Sequence, residues 1–235
     1  MNKASDSEKP ANKFVQMLRP SRTIPITPWR ADSTWSIGSG SKHIQRIFIL
    51  IFGLFIFGIG DSLLIITGLG NAPWSVLAQG ISLNTPLSIG EATFFISLTV
   101  LALWIPLRQK PGLGTLANIV VIAAAIEIGL AFIPEVNNLA LKYFYIFFGI
   151  ALVGVGSALY ITCGLGTGPR DGLMTGLHYK TGIRVGRVRL GIELIALIIG
   201  ALLGGTVGIG TALFALLIGQ SVAISLGVVD RLTAK

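Results

Sequence analysis

The sequence predicts an all-α membrane protein. Six transmembrane helices form two inverted-topology three-helix repeats, each with a Gly-x-Gly-x-x-Pro break and a short half-helix. Three observations carry this expectation. Apolar residues make up 52% of the 235-residue chain against 12% charged, and mean hydropathy is +0.78. They gather in runs of about 20, the span of a bilayer core. The segment Gly68-Leu69-Gly70-Asn71-Ala72-Pro73-Trp74 returns as Gly164-Leu165-Gly166-Thr167-Gly168-Pro169-Arg170. Basic residues alternate between successive connecting links.

Taken in order, residues 1–45 read as a disordered basic cytoplasmic tail. Lys3, Lys9, Lys13, Arg19, Arg22, Arg30 and Lys42 charge it, and Pro10, Pro20, Pro25 and Pro28 punctuate it. The first apolar run begins too late for a secretory signal. Trp29 and Trp35 suit the headgroup layer. The expected spans are 46–66, 89–107, 113–133, 142–162, 188–203 and 209–229, giving membrane repeats at 46–134 and 142–229. The link after the first span carries no charge, and the next carries Arg108 and Lys110. The third link carries Glu135. The fourth carries Arg170, Lys180, Arg184 and Arg187, the fifth is uncharged, and the C-terminus carries Arg231 and Lys235. The positive-inside rule places both termini in the cytoplasm. The net charge of +8 is explained by this orientation signal, without nucleic acid as a partner.

A shift of 96 positions superposes the halves without a gap over most of the membrane part. Gly53 falls on Gly149, Gly60 on Gly156, Gly80 on Gly176 and Gly114 on Gly210. Glycines in constant register over that length mark a true repeat. Three spans per repeat is an odd number, so the second copy enters the membrane from the opposite side. Such repeats, with paired helix breaks, are typical of secondary transporters.

The candidate substrate-binding residues lie at the breaks: Gly68, Gly70, Asn71, Pro73 and Trp74, and Gly164, Gly166, Thr167, Pro169, Arg170 and Asp171. Asn71 and Thr167 suit helix caps, and each proline suits a first helical turn. A half-helix dipping inward offers free N–H groups to an anion or carbonyl, whereas a surface hairpin also explains the glycines. Arg170 and Asp171 read as a mutual pair, as headgroup anchors or as a cytoplasmic gate. Trp74 reads as a belt residue or a stacking surface. Ionisable groups within spans need a reason. Asp61 and Glu127 are the candidates for proton coupling, while Arg189 and Glu193 have the spacing of a helical ion pair. Asn118, Gln79 and Gln220 line a path or bridge helices.

Cys163 is the only cysteine, and His43 and His178 lack metal-ligand spacing, so neither a disulfide nor a metal or other cofactor is expected. Nucleophile-elbow, Walker and zincin patterns are absent, which argues against an enzyme.

The run Gly-Leu-Gly-Thr-Gly-Pro-Arg-Asp at 164–171, with its first copy at 69–74, resembles the signature of the YczE/YyaS/YitT-like bacterial membrane proteins. The resemblance covers about residues 46–229. It implies a bacterial plasma-membrane protein, with some relatives linked to handling of antibiotics or other small metabolites. Arg170 stands where that signature has Trp, and Ser75 where it has Asp. The expected function is a secondary transporter, in the export direction, of a small organic molecule held between the two breaks. The alternative is a non-transporting accessory protein that serves a partner enzyme through its tail. Membrane lipid is an expected partner, and a homo-oligomer is compatible.

Overall fold

The computed structural model describes residues 16–21, 23–35 and 41–233. Among these the structure is helical, with no strand. The helices are α1 (Ser41–Thr67), α2 (Pro73–Asn84), α3 (Ile89–Ala102), α4 (Trp104–Leu107), α5 (Leu113–Phe132), α6 (Leu139–Thr162), α7 (Pro169–Thr181), α8 (Val185–Leu202) and α9 (Ile209–Thr233).

Five segments are long and apolar enough to cross a membrane: His43–Thr67, Ile89–Leu107, Leu113–Phe132, Leu139–Thr162 and Ile209–Thr233. The expected span at 188–203 is the exception. It is covered by α8, whose 18 residues include Arg187, Arg189 and Glu193. Outward faces carry exposed Phe48, Phe52, Phe95, Phe147 and Ile198. An apolar rim of this kind is costly against water and suits lipid.

Local signals set the helix ends. Ser88 and Glu91 form a reciprocal capping box at the start of α3. The Asn138 side chain accepts from the Ala140 and Leu141 N–H groups to open α6. Gly182, at φ 71°, closes α7 in the left-handed conformation.

The centre of the bundle is an antiparallel crossing of α1 and α6. A side chain at Gly53 would meet Gly156 O, and one at Gly60 would meet Gly149 O at 2.7 Å. The shift of 96 turns the first contact into the second, so this face packs as its own counterpart. Around it α5 packs on α1 and α9 on α6, again equivalent pairs. Ser221 Oγ on α9 donates to Ile150 O on α6 at 3.0 Å.

The expectation of a disordered tail fails for the described part of it. Thr27 Oγ1 donates to Thr162 O (3.1 Å), the Ala31 N–H to Cys163 O (2.8 Å) and the Leu113 N–H to Thr34 O (3.1 Å). The tail thus meets the orphan carbonyls ending α6 and an orphan N–H opening α5. Arg46 Nε donates to Trp29 O at 2.6 Å, and Arg231 donates to Met17 O and Arg19 O, both at 2.6 Å. Trp29 and Trp35, expected near the headgroup layer, donate through Nε1 to Thr162 Oγ1 at 3.3 Å and Pro111 O at 2.9 Å. The remaining tail residues fall outside the described part. Deleting residues 1–35 is expected to destabilise the bundle by ~3 kcal/mol, from several hydrogen bonds at about 1 kcal/mol each. Unfolding in detergent measures this, and an unchanged midpoint would return the tail to a mere tether.

Cys163 is wholly buried, its thiol directed to Leu159 O and Arg46 O. Burial pushes the thiol up to about 12, so it packs as a small apolar group and not as a thiolate.

Candidate substrate cavity between the two helix breaks

The two breaks have nearly the same backbone. Gly68 and Gly164 have φ 64° and 68°, and Gly70 and Gly166 both have φ 114°. Those values lie where only glycine is unstrained. Space demands glycine too: a Cβ at Gly70 would strike Gly208 and Thr211, and one at Gly166 would strike Gly112 and Thr115. Each break is seated on the third long helix of the other half. The Gly210 N–H donates to Leu69 O (2.9 Å), and the Gly114 N–H donates to Leu165 O (2.7 Å). These two bonds exchange under the shift of 96.

The breaks lie at opposite ends of the α1–α6 pair. Gly68 follows the end of α1, whereas Cys163 Sγ lies against Arg46 O near its start. The helices after them turn back toward each other. The Arg170 guanidinium, in the first turn of α7, stands 4.8 Å from the centre of the Trp74 ring, in the first turn of α2. The shift of 96 relates the two positions. Trp104 Nε1 donates to Pro169 O (2.9 Å) and fixes the start of α7. The residues before these helices, Ala72 and Gly168, cap neither with a side chain.

Beside this contact lies a cavity of ≈ 180 Å³. Its lining comes in equivalent pairs: Asp61 with Ser157, Trp74 with Arg170, Ser97 with Glu193, Asn118 with Phe214 and Ile122 with Ile218. Ser75 Oγ donates to Asp61 Oδ2 at 3.2 Å, while Asp61 Oδ1 is buried and has no partner. Tyr160 OH donates to Asp171 Oδ2 at 2.8 Å. Arg189 Nε meets Glu193 Oε1 at 2.9 Å, and both line the cavity. Trp74 also lines an apolar groove of ≈ 500 Å³ between α3 and α8. Leu77 and Leu173, and Ile96 and Ile192, are equivalent pairs within that groove.

The structure sorts the residues expected from sequence. Asp61, Pro73, Trp74, Pro169, Arg170 and Asp171 line the cavity, and Gly68, Gly70, Gly164 and Gly166 shape the backbone that carries it. Asn71 and Thr167 are not helix caps. Asn71 Nδ2 donates to Gln79 Oε1 (2.8 Å), which also accepts from the Thr206 N–H (2.8 Å). Thr167 supplies its carbonyl to Thr115 Oγ1 at 2.7 Å. Arg170 is not placed as a headgroup anchor, nor Trp74 as a belt residue: it is only 7% exposed. Asn118 lines the cavity, whereas Gln79 bridges segments and Gln220 faces a separate groove between α6 and α9.

Glu127 does not reach the cavity. It is exposed, and its Oε2 accepts from the Gly90 N–H at 3.0 Å in the first turn of α3. A carboxylate there complements the helix dipole. Glu127→Ala is expected to cost about 1 kcal/mol in a detergent melt and to leave the cavity intact. A loss of cavity function without loss of stability would return Glu127 to the site. Sequence reasoning missed Tyr160, Ser97 and Ser157. The shift of 96 points to the two serines, from Glu193 and Asp61, while nothing in the apolar run around Tyr160 marks it.

One of the similar proteins is named as a membrane protein. An uncharacterized protein of Haemophilus influenzae is 43% identical over 216 residues, covering 92% of this chain and 97% of that one. The uncharacterized membrane protein YczE of Bacillus subtilis is 33% identical over 158 residues, 66% of this chain and 74% of that one. The uncharacterized protein YyaS of Bacillus subtilis is 27% identical over 183 residues, 76% of this chain and 91% of that one. No solved structure matches. Residues 44–226 match the model described as a family of unknown function (DUF6198), and the chain belongs to this YczE/YyaS-like family of membrane proteins.

Proposed function

We propose that the protein is a secondary transporter of a small organic molecule, with two inverted repeats of three spans and the substrate held between the starts of α2 and α7. It sits in the bacterial plasma membrane with both termini cytoplasmic. One observation carries the reading. Two half-helices that follow breaks at opposite ends of the bundle bring equivalent residues, Trp74 and Arg170, face to face beside a polar cavity. Broken helices meeting at a repeat interface are how secondary transporters build substrate sites.

Further support comes from α8, the fifth of the six spans in this reading. Its Arg189 and Glu193 pair with each other and line the cavity, which lowers the cost of carrying them into the bilayer. The exchanged contacts of α1 with α6, and of each break with the opposite half, are those of a two-fold arrangement. The cavity is smaller than the ~300–1,000 Å³ typical of drug-sized ligands, which favours a compact substrate. Asp61, buried with one free oxygen, is the proton carrier of this reading.

Two measurements test it. Cysteines placed at Asn137 and Lys180 are expected to react with an impermeant reagent from opposite faces of whole cells. Reaction from one face alone would end the inverted arrangement. Purified protein in liposomes under an imposed pH gradient is expected to accumulate compounds that the empty liposomes do not, and failure across a broad metabolite panel would favour the accessory reading. Because residues 23–35 are integral to the bundle, loss of function on deleting the tail no longer distinguishes the two readings.

A further inference from the structure

The polar groups of the cavity divide into those already satisfied and those that are not. Arg189 and Glu193 neutralise each other at 2.9 Å, and the Asp171 carboxylate accepts from Tyr160 OH at 2.8 Å. Asp61 and Arg170 are the charged groups left, beside the buried Trp74 Nε1–H, which also lacks a partner. Asp61 is 1% exposed, receives one hydrogen bond from Ser75 at Oδ2, and has a buried Oδ1 with no partner. Arg170 rests on the Trp74 ring and, among the described residues, forms no ion pair. Both line the same cavity, yet they are not bonded to each other.

One acid, buried, and one base, partly buried, therefore face the same small cavity, each without a counter-ion in contact. A buried charge in that condition costs several kcal/mol until something pairs with it. A simple anion would satisfy Arg170 and leave Asp61 worse off. A simple cation would do the reverse. A neutral polar molecule would leave both charges uncompensated. The remaining choice is a ligand with both charges. Its anionic end is further favoured at Arg170, because no side chain caps α7 and its first-turn N–H groups lie beside the cavity. Phe57, Ile122 and Met174 supply apolar wall for the rest of the molecule.

We propose that the cavity binds a small zwitterion of amino-acid type, its anionic group on Arg170 and the first turn of α7, its ammonium on Asp61 Oδ1. This rests on the cavity being the substrate site and narrows what that site takes.

The test uses the full-length protein in detergent. Its probes are the standard amino acids and glycine betaine, read by thermal shift and by tryptophan fluorescence. For leucine the matched analogues are isocaproate, which lacks the ammonium, and isoamylamine, which lacks the carboxylate. Any other zwitterion that binds is compared with its own two analogues. At least one zwitterion is expected to bind, and its singly charged analogues to bind roughly 30-fold more weakly or worse. Asp61→Asn is expected to erase the preference over the acid, and Arg170→Gln the preference over the amine. The wild-type series decides the matter even where a variant fails to fold. The proposal is overturned if no zwitterion binds, if a singly charged analogue matches it, or if folded variants keep the wild-type preference. Binding without flux would remove the transporter reading and leave this one standing. Flux of a singly charged compound alone would do the opposite.

Discussion

In the proposed transporter, Asp61→Asn is expected to lower gradient-driven accumulation by roughly 100-fold or more while leaving the fold in place. The argument starts from the isosteric change. The introduced amide can still accept from Ser75 through its oxygen, so the local contact between α1 and α2 survives. What disappears is the only ionisable group of α1 that lines the cavity. An amide can neither bind and release a proton nor pair with an ammonium as an anion, so in the proposed transporter proton and substrate can no longer alternate at this position. Stability is expected to hold or rise slightly, because a buried carboxylate with an unpartnered oxygen is costly in apolar surroundings. The measurement is uptake into liposomes with and without a pH gradient, paired with exchange of labelled for unlabelled substrate. A variant that still accumulates substrate against its gradient would remove Asp61 as the coupling group. The contrast with Glu127 sharpens the test: that carboxylate is exposed and occupied with the Gly90 N–H.

The largest stability effect is expected at the α1–α6 crossing. Gly60→Leu would drive a side chain into Gly149 O and the Val153 backbone, at 2.7 and 2.9 Å from its Cβ alone. Those atoms belong to a helix backbone and cannot swing aside. The helices must separate, and every contact along the antiparallel face loosens with them. Overpacking costs ~1–3 kcal/mol where neighbours can adjust. At this crossing, with dispersion between closely approached backbones as the main attraction in lipid, about 3 kcal/mol or more is expected. Gly156→Leu, which meets Gly53 O and the Phe57 backbone, should match it, since its Cβ meets the facing helix backbone just as closely. Gly191→Leu and Gly219→Leu serve as controls, because nothing lies within 4 Å of a Cβ there. Thermal unfolding in a mild detergent reads all four. Equal melting of the crossing variants and the controls would show that α1 and α6 do not form the centre.

Membrane character, the helices around each break and the matching backbone of the two breaks were legible in the residues. Apolar runs, glycines and prolines act through local or periodic physics that needs no partner. Gly70 and Gly166 are a clear case, because positive φ is a property of one residue's backbone. The charged helix α8 and the tail show where that legibility ends. Lys, Arg and Pro density reads as disorder, but Ala31 and Thr34 find hydrogen bonds at helix ends far along the chain. The pairing of Arg189 with Glu193 was visible because a helix brings positions four apart together. Its place in the cavity was not.

Sequence by itself determined the chemistry available at the two breaks: two glycine turns, two first-turn prolines, one tryptophan, one arginine and an aspartate one helix earlier. Only the tertiary structure decided that Trp74 and Arg170 touch, that Asp61 keeps an oxygen unpartnered beside them, and that Glu127 is spent at the start of α3. The reason is physical. Backbone preference is written residue by residue, whereas the fate of a buried charge depends on which distant groups the packing of α1 against α6 carries to it.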